Sequence, residues 1–501
     1  MFSMLRSIVY AVLCGTLFVL LPEPSSSQEV HNHPAPEKLG TVAFPVSCAP
    51  TVQKEFERAA ALLHSFAYSA AEASFEDVAA RDRQCAMAHW GIAMTHFHQL
   101  WEPPLPPEGF SLGQQELRRA QEIGAPSDRE GGLIQALALV YDNAAPYQTR
   151  ILSYEAAMQK LAAAYGDDAE VQVFYALELL AAASPFDKTH AKQKRAADIL
   201  EPLYRRYPQH PGIPHYLIHA YDNAELAGRG VAAARAYSKI APSAPHALHM
   251  PSHIFTRLGM WSDSIASNRA ARAAAHEQGD IGEELHAMDY LVYAFVQEGR
   301  DQEAAEIIRE LRQMQKLNEG DFKVAYASTA MPVRYAVERH QWTEAAAIES
   351  PPGAPPHVVA ITVWARALGL ARSGRPAKVR SEIDKLHELE RQLRVADNEY
   401  WAQQVRIQAM EAEAWLAQAE GRPDDAQRLL RNAADEEDAI EKLPVSPGPI
   451  IPAREQLGDL LIEQHLPDQA VEEFQNALAS APNRRNSLDG LSRATGRGRS
   501  M

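Results

Sequence analysis

Apolar and small residues recur along this chain in steps of three and four, the spacing of neighbours on one helix face. The clearest run is Leu457, Gly458, Leu461, Ala470, Phe474, Ala477 and Pro482. It predicts two helices packed through small residues, the second stopped by a proline that lacks the N–H to continue it. Glu413–Ala433 repeats the design with Gly421 at the turn, and Ala287–Leu311 repeats it with Gly299 at the turn and Ala304 beyond it. Phe56–Ala80 fits with Ala71 and Phe75 at the packing positions, and weaker units cover Ala325–Glu349 and Thr362–Leu386. Cys85–Trp101 reads as a first helix interrupted by the Pro-rich Glu102–Gly109, with helical pairs following near Gly113–Asp142 and Thr149–Tyr165. The chain is rich in Ala, Leu, Glu, Arg and Gln and has no run of alternating β-branched residues. It is therefore read as all-α, a stack of helix–turn–helix units sharing one core.

His215 and His219 are echoed 34 positions later by His249 and His253. That period, together with the small residues above, resembles the tetratricopeptide superfamily. The resemblance implies a right-handed α-solenoid over residues 48–483, whose first helices line a concave groove that takes an extended partner segment. More narrowly, Cys85-Ala-Met-Ala-His-Trp-Gly, Asp187-Lys-Thr, His215-Tyr-Leu-Ile-His219 and His246-Ala-Leu-His249-Met-Pro-Ser-His253 resemble a group of exported bacterial tetratricopeptide proteins. This covers most of residues 45–310. It implies a fold and a compartment, and no reaction.

The ends of the chain read differently. Residues 1–27, with Arg6 before the apolar Ile8–Leu21, have the pattern of a secretory signal too short to span a membrane. The expected destination is the periplasm or beyond. Residues 28–47 are Pro- and His-rich and read as a loose linker, and residues 484–501, rich in Arg, Ser and Gly, as a frayed tail. A net charge of −16, spread along the chain, argues against a nucleic-acid partner. Removing the signal leaves Cys48 and Cys85, which an oxidising compartment would join as a disulfide; two buried thiols are the alternative.

Candidate chemistry concentrates in residues 210–295. Residues 210–286 hold eight of the 19 histidines, where an even spread would place about three. Numbering each unit from its turn glycine puts His215, His219, Asp222 and Asn223 on the groove side of one first helix. His246, His249 and His253 face the groove from the next, and His286, Asp289 and Tyr293 from a third. His210, in a loop, and His276, on a second helix, are set aside; His64 and His96 face the groove several repeats away. Histidines at i and i+4 form a two-nitrogen clamp suited to Zn, Cu, Fe or Ni. His215, His219, His249 and His253 are thus candidate ligands, with Asp222, Asp289 or His286 completing or orienting the shell. Pro251 should kink the helix between two of them. Three readings compete: packing and polar contacts in a groove that binds a protein or peptide, a metal site, and a metal-free acid–base site. A metal site would make the chain a hydrolase, an oxidoreductase or a metal carrier.

Overall fold

A computed structural model describes residues 37–100, 107–318 and 320–496; the expected signal at 1–27 lies outside them. The described chain is helical and runs as stacked pairs. These are α1 Gln53–His64 with α2 Tyr68–Arg81, α3 Ala86–Thr95 with α4 Pro107–Ile123, and α5 Asp128–Ala138 with α6 Tyr147–Ala164. Next come α7 Ala169–Ala181 with α8 Ala191–Arg206, and α9 Gly212–Tyr221 with α10 Ala227–Ile240. The following first helix is broken into α11 Pro245–His249 and α12 Pro251–Arg257, and pairs with α13 Trp261–Gln278. Then α14 Ile281–Gln297 pairs with α15 Asp301–Leu311, α16 Phe322–Glu338 with α17 Trp342–Ala345, and α18 Pro356–Arg372 with α19 Val379–Val395. Finally α20 Glu399–Ala419 pairs with α21 Pro423–Asp438 and α22 Ala453–Glu463 with α23 Pro467–Ser480, and α24 Arg485–Ala494 caps the stack.

Partners pack on each other, and first helices pack on first helices of the next unit, as α14 does on α16 and α16 on α18. The result is an α-solenoid with one extended core. Side chains start the helices where the turns require it: Asp168, Asp280 and Asp321 each accept from a backbone N–H in the first turn of α7, α14 and α16. Gly458 shows why the pattern needs small residues. A Cβ there would lie 2.7 Å from the Phe474 ring, so only glycine lets α22 and α23 approach this closely.

Both ends differ from expectation. The supposed linker is packed from residue 37 onward: Thr41 N–H donates to the Gln209 carbonyl, and Phe44 is fully buried against Phe56, Trp90 and Phe174. The sulfurs of Cys48 and Cys85 lie at bonding distance, tying this segment to the start of α3. The supposed tail contains α24, preceded by a fully buried Arg484 that pairs with Glu338 and Glu455 and donates to Tyr293 Oη. Arg-rich composition suggested exposure; two buried carboxylates reverse it.

Arg484 belongs to a closure of the molecule on itself. Trp261 donates its indole N–H to the Asn483 carbonyl at 2.9 Å, and a Cβ on Gly259, whose φ is +64°, would sit 2.1 Å from the Pro482 carbonyl oxygen. The groove expected to hold a partner peptide holds the chain's own segment 440–452. Glu441 N–H donates to the Pro185 carbonyl, Tyr290 Oη contacts the Pro444 and Ser446 carbonyls, and Arg334 donates to those of Gly448 and Pro449. No helix among the described residues is long and apolar enough to cross a membrane.

Candidate metal centre

The first helices α9, α11, α12 and α14 bring six histidines together beneath that segment. They fall into two triads, His215/His219/His246 and His249/His253/His286, and within each triad the ligand nitrogens lie within 4.8 Å of one another. All six are buried, His219 least so at 8% exposure. The quartet singled out by the 34-residue echo is thus divided, one clamp to each triad. His246 and His286, expected as groove contacts, supply the third nitrogens. Pro251 sets the break between α11 and α12, with Met250 still helical. Across this break His249 Nε2 comes 3.0 Å from His253 Nε2.

The outer nitrogens reveal how the rings are poised. His215 Nδ1 lies 2.6 Å from the His64 carbonyl, one of the orphan acceptors at the C-terminus of α1. His246 Nδ1 lies 3.3 Å from a Glu283 carboxylate oxygen, and His253 Nδ1 lies 2.9 Å from Asp222 Oδ2. His249 Nδ1 lies 2.6 Å from Asn268 Oδ1, whose amide is oriented by its own donation to the Ser264 carbonyl. These oxygens only accept, so in each of the four rings Nδ1 carries the proton and Nε2 the lone pair. Yet His215 Nε2 faces His246 Nε2 at 3.2 Å, and His249 Nε2 faces His253 Nε2 at 3.0 Å. Lone pair meets lone pair in both triads. His219 Nε2 adds a third nitrogen at 3.1 Å from His215.

Electrostatics support the neutral rings. Burial, reinforced by the neighbouring imidazoles, pushes His215, His219, His249 and His286 well below the usual histidine range. Burial also lowers His253, to about 4, against the pull of Asp222. Burial would raise Asp222, but Lys442 and Arg257 hold it well below the carboxylate range; Lys323 and His246 do the same for Glu283. Each carboxylate that orients a ring is therefore an anion with a cation of its own.

A third cluster, His64, Glu170 and His210, has a different character. His64 Nε2 and His210 Nε2 each reach a Glu170 oxygen at 2.9 Å. Tyr216 Oη serves His64 Nδ1, and Gly212 N–H donates to His210 Nδ1. Every ring nitrogen has a complementary partner, so this is a hydrogen-bond network that locks α1 to α7 and α9. His64, expected several repeats away, sits beside His215 because the solenoid curls tightly enough for α1 to touch α9. His210, set aside as a loop residue, is buried here, whereas His276 is 78% exposed on the outer face. His96 pairs with Glu72 away from the triads.

The remaining candidates have structural partners. Asn223 accepts from Leu226 N–H in the turn to α10, Tyr293 takes the Arg484 contact, and buried Asp289 lies 3.5 Å from Arg334 and is raised by burial to about 6. A cavity of about 750 Å³ opens beside the first triad, lined by Tyr147, Phe186, Asp222, Trp401 and Lys442; of the six imidazoles only His219 stands in its wall. Glu283, Asn268 and the His64 carbonyl were invisible in the sequence as orienting groups. The one available hint was Glu283, three residues before His286 in a helix opened by Asp280.

No family model and no curated protein matches the chain. Among solved structures it is similar to the P58(IPK) TPR domain at 13% identity, over 89% of this chain and 98% of that one, with a TM-score of 0.23. It is also similar to the APC/C hetero-tetramer Cut9–Hcn1 at 12% identity, over 93% and 79%, with a TM-score of 0.35. A third is Naa15/Naa10 bound to HypK-THB, at 12% identity over 88% and 60%, with a TM-score of 0.26.

Proposed function

We propose that this is an exported metalloenzyme in which the helical solenoid scaffolds two neighbouring metal ions, each held by three imidazole nitrogens. The observation that carries the reading is the pair of lone-pair encounters at 3.0 and 3.2 Å. Two acceptors at that distance repel unless a cation lies between or beside them. A single excess proton could bridge two nitrogens but not three, and each triad converges three. Ligands about 2 Å from one ion are separated by roughly 3–3.5 Å, and three of the nitrogen pairs stand at 3.0, 3.1 and 3.2 Å. Orientation through Nδ1 by carboxylate, amide or carbonyl oxygen is the usual outer support of metal-bound histidine.

An enzyme is favoured over a carrier because the cavity of about 750 Å³ gives a small molecule access to one ion only, at His219. A site with three protein ligands and an open position is the catalytic arrangement. Binding a partner in the concave groove would require segment 440–452 to leave, breaking the Lys442–Asp222 pair and the Arg334 contacts. The test is elemental analysis of the purified protein beside His215→Ala/His249→Ala. About two metal equivalents per chain, lost in the variant, are expected. Absence of metal after loading, with no change in thermal stability on chelation, would reject the reading.

A further inference from the structure

Resting on the metal reading above, we infer that the two ions are copper, held as Cu(I), and that only the ion of the His215/His219/His246 triad can take an exogenous ligand. Among the described residues no carboxylate or thiolate joins either group of converging imidazole nitrogens; the carboxylates of Asp222 and Glu283 stand one shell out, on Nδ1 atoms. Each ion would therefore meet three neutral ligands in a buried setting. The cost of burying a cation rises with the square of its charge, so a site without an anionic ligand favours a monovalent ion. Among the metals that suit imidazole, copper is the one with a stable monovalent state, and Cu(I) is content with three nitrogens. Zinc takes four ligands, and with three from the protein it keeps a water.

The described residues leave the second triad no opening through which a water or other exogenous fourth ligand could reach it. His249, His253 and His286 are at most 1% exposed and line neither of the two cavities beside segment 440–452. Tyr290 roofs them, its ring centre 4.7 Å from His249 and 5.1 Å from His253, and its hydroxyl, 3.4 Å from His253 Nε2, also lies against the Pro444 and Ser446 carbonyls. The first triad differs in one respect: His219 reaches the larger cavity. The triads adjoin, with ring centres 6.0 Å apart between His219 and His253 and 6.1 Å between His246 and His249. The arrangement is a pair of one-electron ions, one open and one closed.

The test uses the full chain, loaded without oxygen in separate samples with Cu(I) and with Zn(II), then exposed to carbon monoxide as an infrared probe of open Cu(I). Two copper ions and one bound carbon monoxide per chain are expected, with copper displacing zinc in competition. His219→Ala should keep one copper and lose the carbon monoxide band; His219→Gln provides the same readout should the alanine variant fold poorly. Two zinc ions retained against copper, or two carbon monoxide molecules per chain, would overturn the inference while leaving the metal reading intact. No binding of either metal would sink both.

Discussion

Asn268 illustrates how much of a metal site is decided one residue away from it. Its amide donates to the Ser264 carbonyl at 2.8 Å, which turns Oδ1 toward His249 and leaves that ring no choice but to protonate Nδ1. Only then does Nε2 point its lone pair at the second triad. Replacing the amide with an apolar group of similar size frees the ring to exchange tautomers while leaving packing nearly unchanged. Asn268→Leu should weaken binding of the second ion by about 10- to 100-fold, with the first ion's affinity unaltered. A chelator competition that resolves two binding steps would measure this. Equal weakening of both steps would mean that Asn268 acts on the fold rather than on His249. The corresponding change at Asp222 is a poorer experiment, because it would also strand Arg257 and Lys442, both half-buried against that carboxylate.

At the scale of helices, the satisfied His64–Glu170–His210 cluster is the counterpart of the two triads, since it supplies rigidity without a cation. Glu170 is 1% exposed; burial would raise it, but the two histidines hold it down to about 2. His64 is itself lowered by burial, so near neutrality it acts on Glu170 as a neutral N–H donor. Above pH about 4.5 the carboxylate is ionised in both folded and unfolded chains, and its stabilisation is fully present. Between about 4.5 and about 2 the unfolded chain takes up the proton first, and stability falls as acid is added. Glu170→Gln should therefore lower stability at pH 7 by up to about 3 kcal/mol and flatten the acid limb of a denaturation-midpoint profile. An unchanged acid limb would show that other carboxylates govern it. This network also marks where sequence reading stops. The 34-residue interval placed His215, His219, His249 and His253 on adjacent first helices, because spacing along a helix is a local property. Contact between α1 and α9 depends on how far each unit rotates on the last, and that is set by many packing contacts at once. Segment 440–452 had a visible signature in Pro444, Pro447, Pro449 and Pro452, which break the helical pattern between α21 and α22. Its destination in the groove was not legible, because Pro185, Tyr290 and Arg334, which receive it, lie more than a hundred positions away.

Across the whole molecule, α14 is where closure and metal centre meet. Its first turn carries Glu283 and its second His286, while Tyr293, near its end, accepts from Arg484 at 2.9 Å. Arg484 also neutralises Glu338 and Glu455, all three side chains at or below 1% exposure. Arg484→Met would leave two buried carboxylates without their cation, a loss on the order of 3–5 kcal/mol. Because that loss falls on the seam between α24 and the middle of the solenoid, amide hydrogen exchange should accelerate there first, in α24 and the C-terminal turns of α14 and α16. The metal works from the other end of the same helix. An ion present at a hundredfold excess over its dissociation constant protects the folded form by about 2.7 kcal/mol, and its ligands span α9, α11, α12 and α14. Metal should therefore slow exchange in those four helices in the natural chain, and chelation should reverse it. In Arg484→Met the same slowing should persist in α9, α11 and α12, with metal stoichiometry unchanged, while α24 stays fast. Loss of metal from this variant would mean that the closed shape of the solenoid, rather than the local ring geometry, holds the six histidines together.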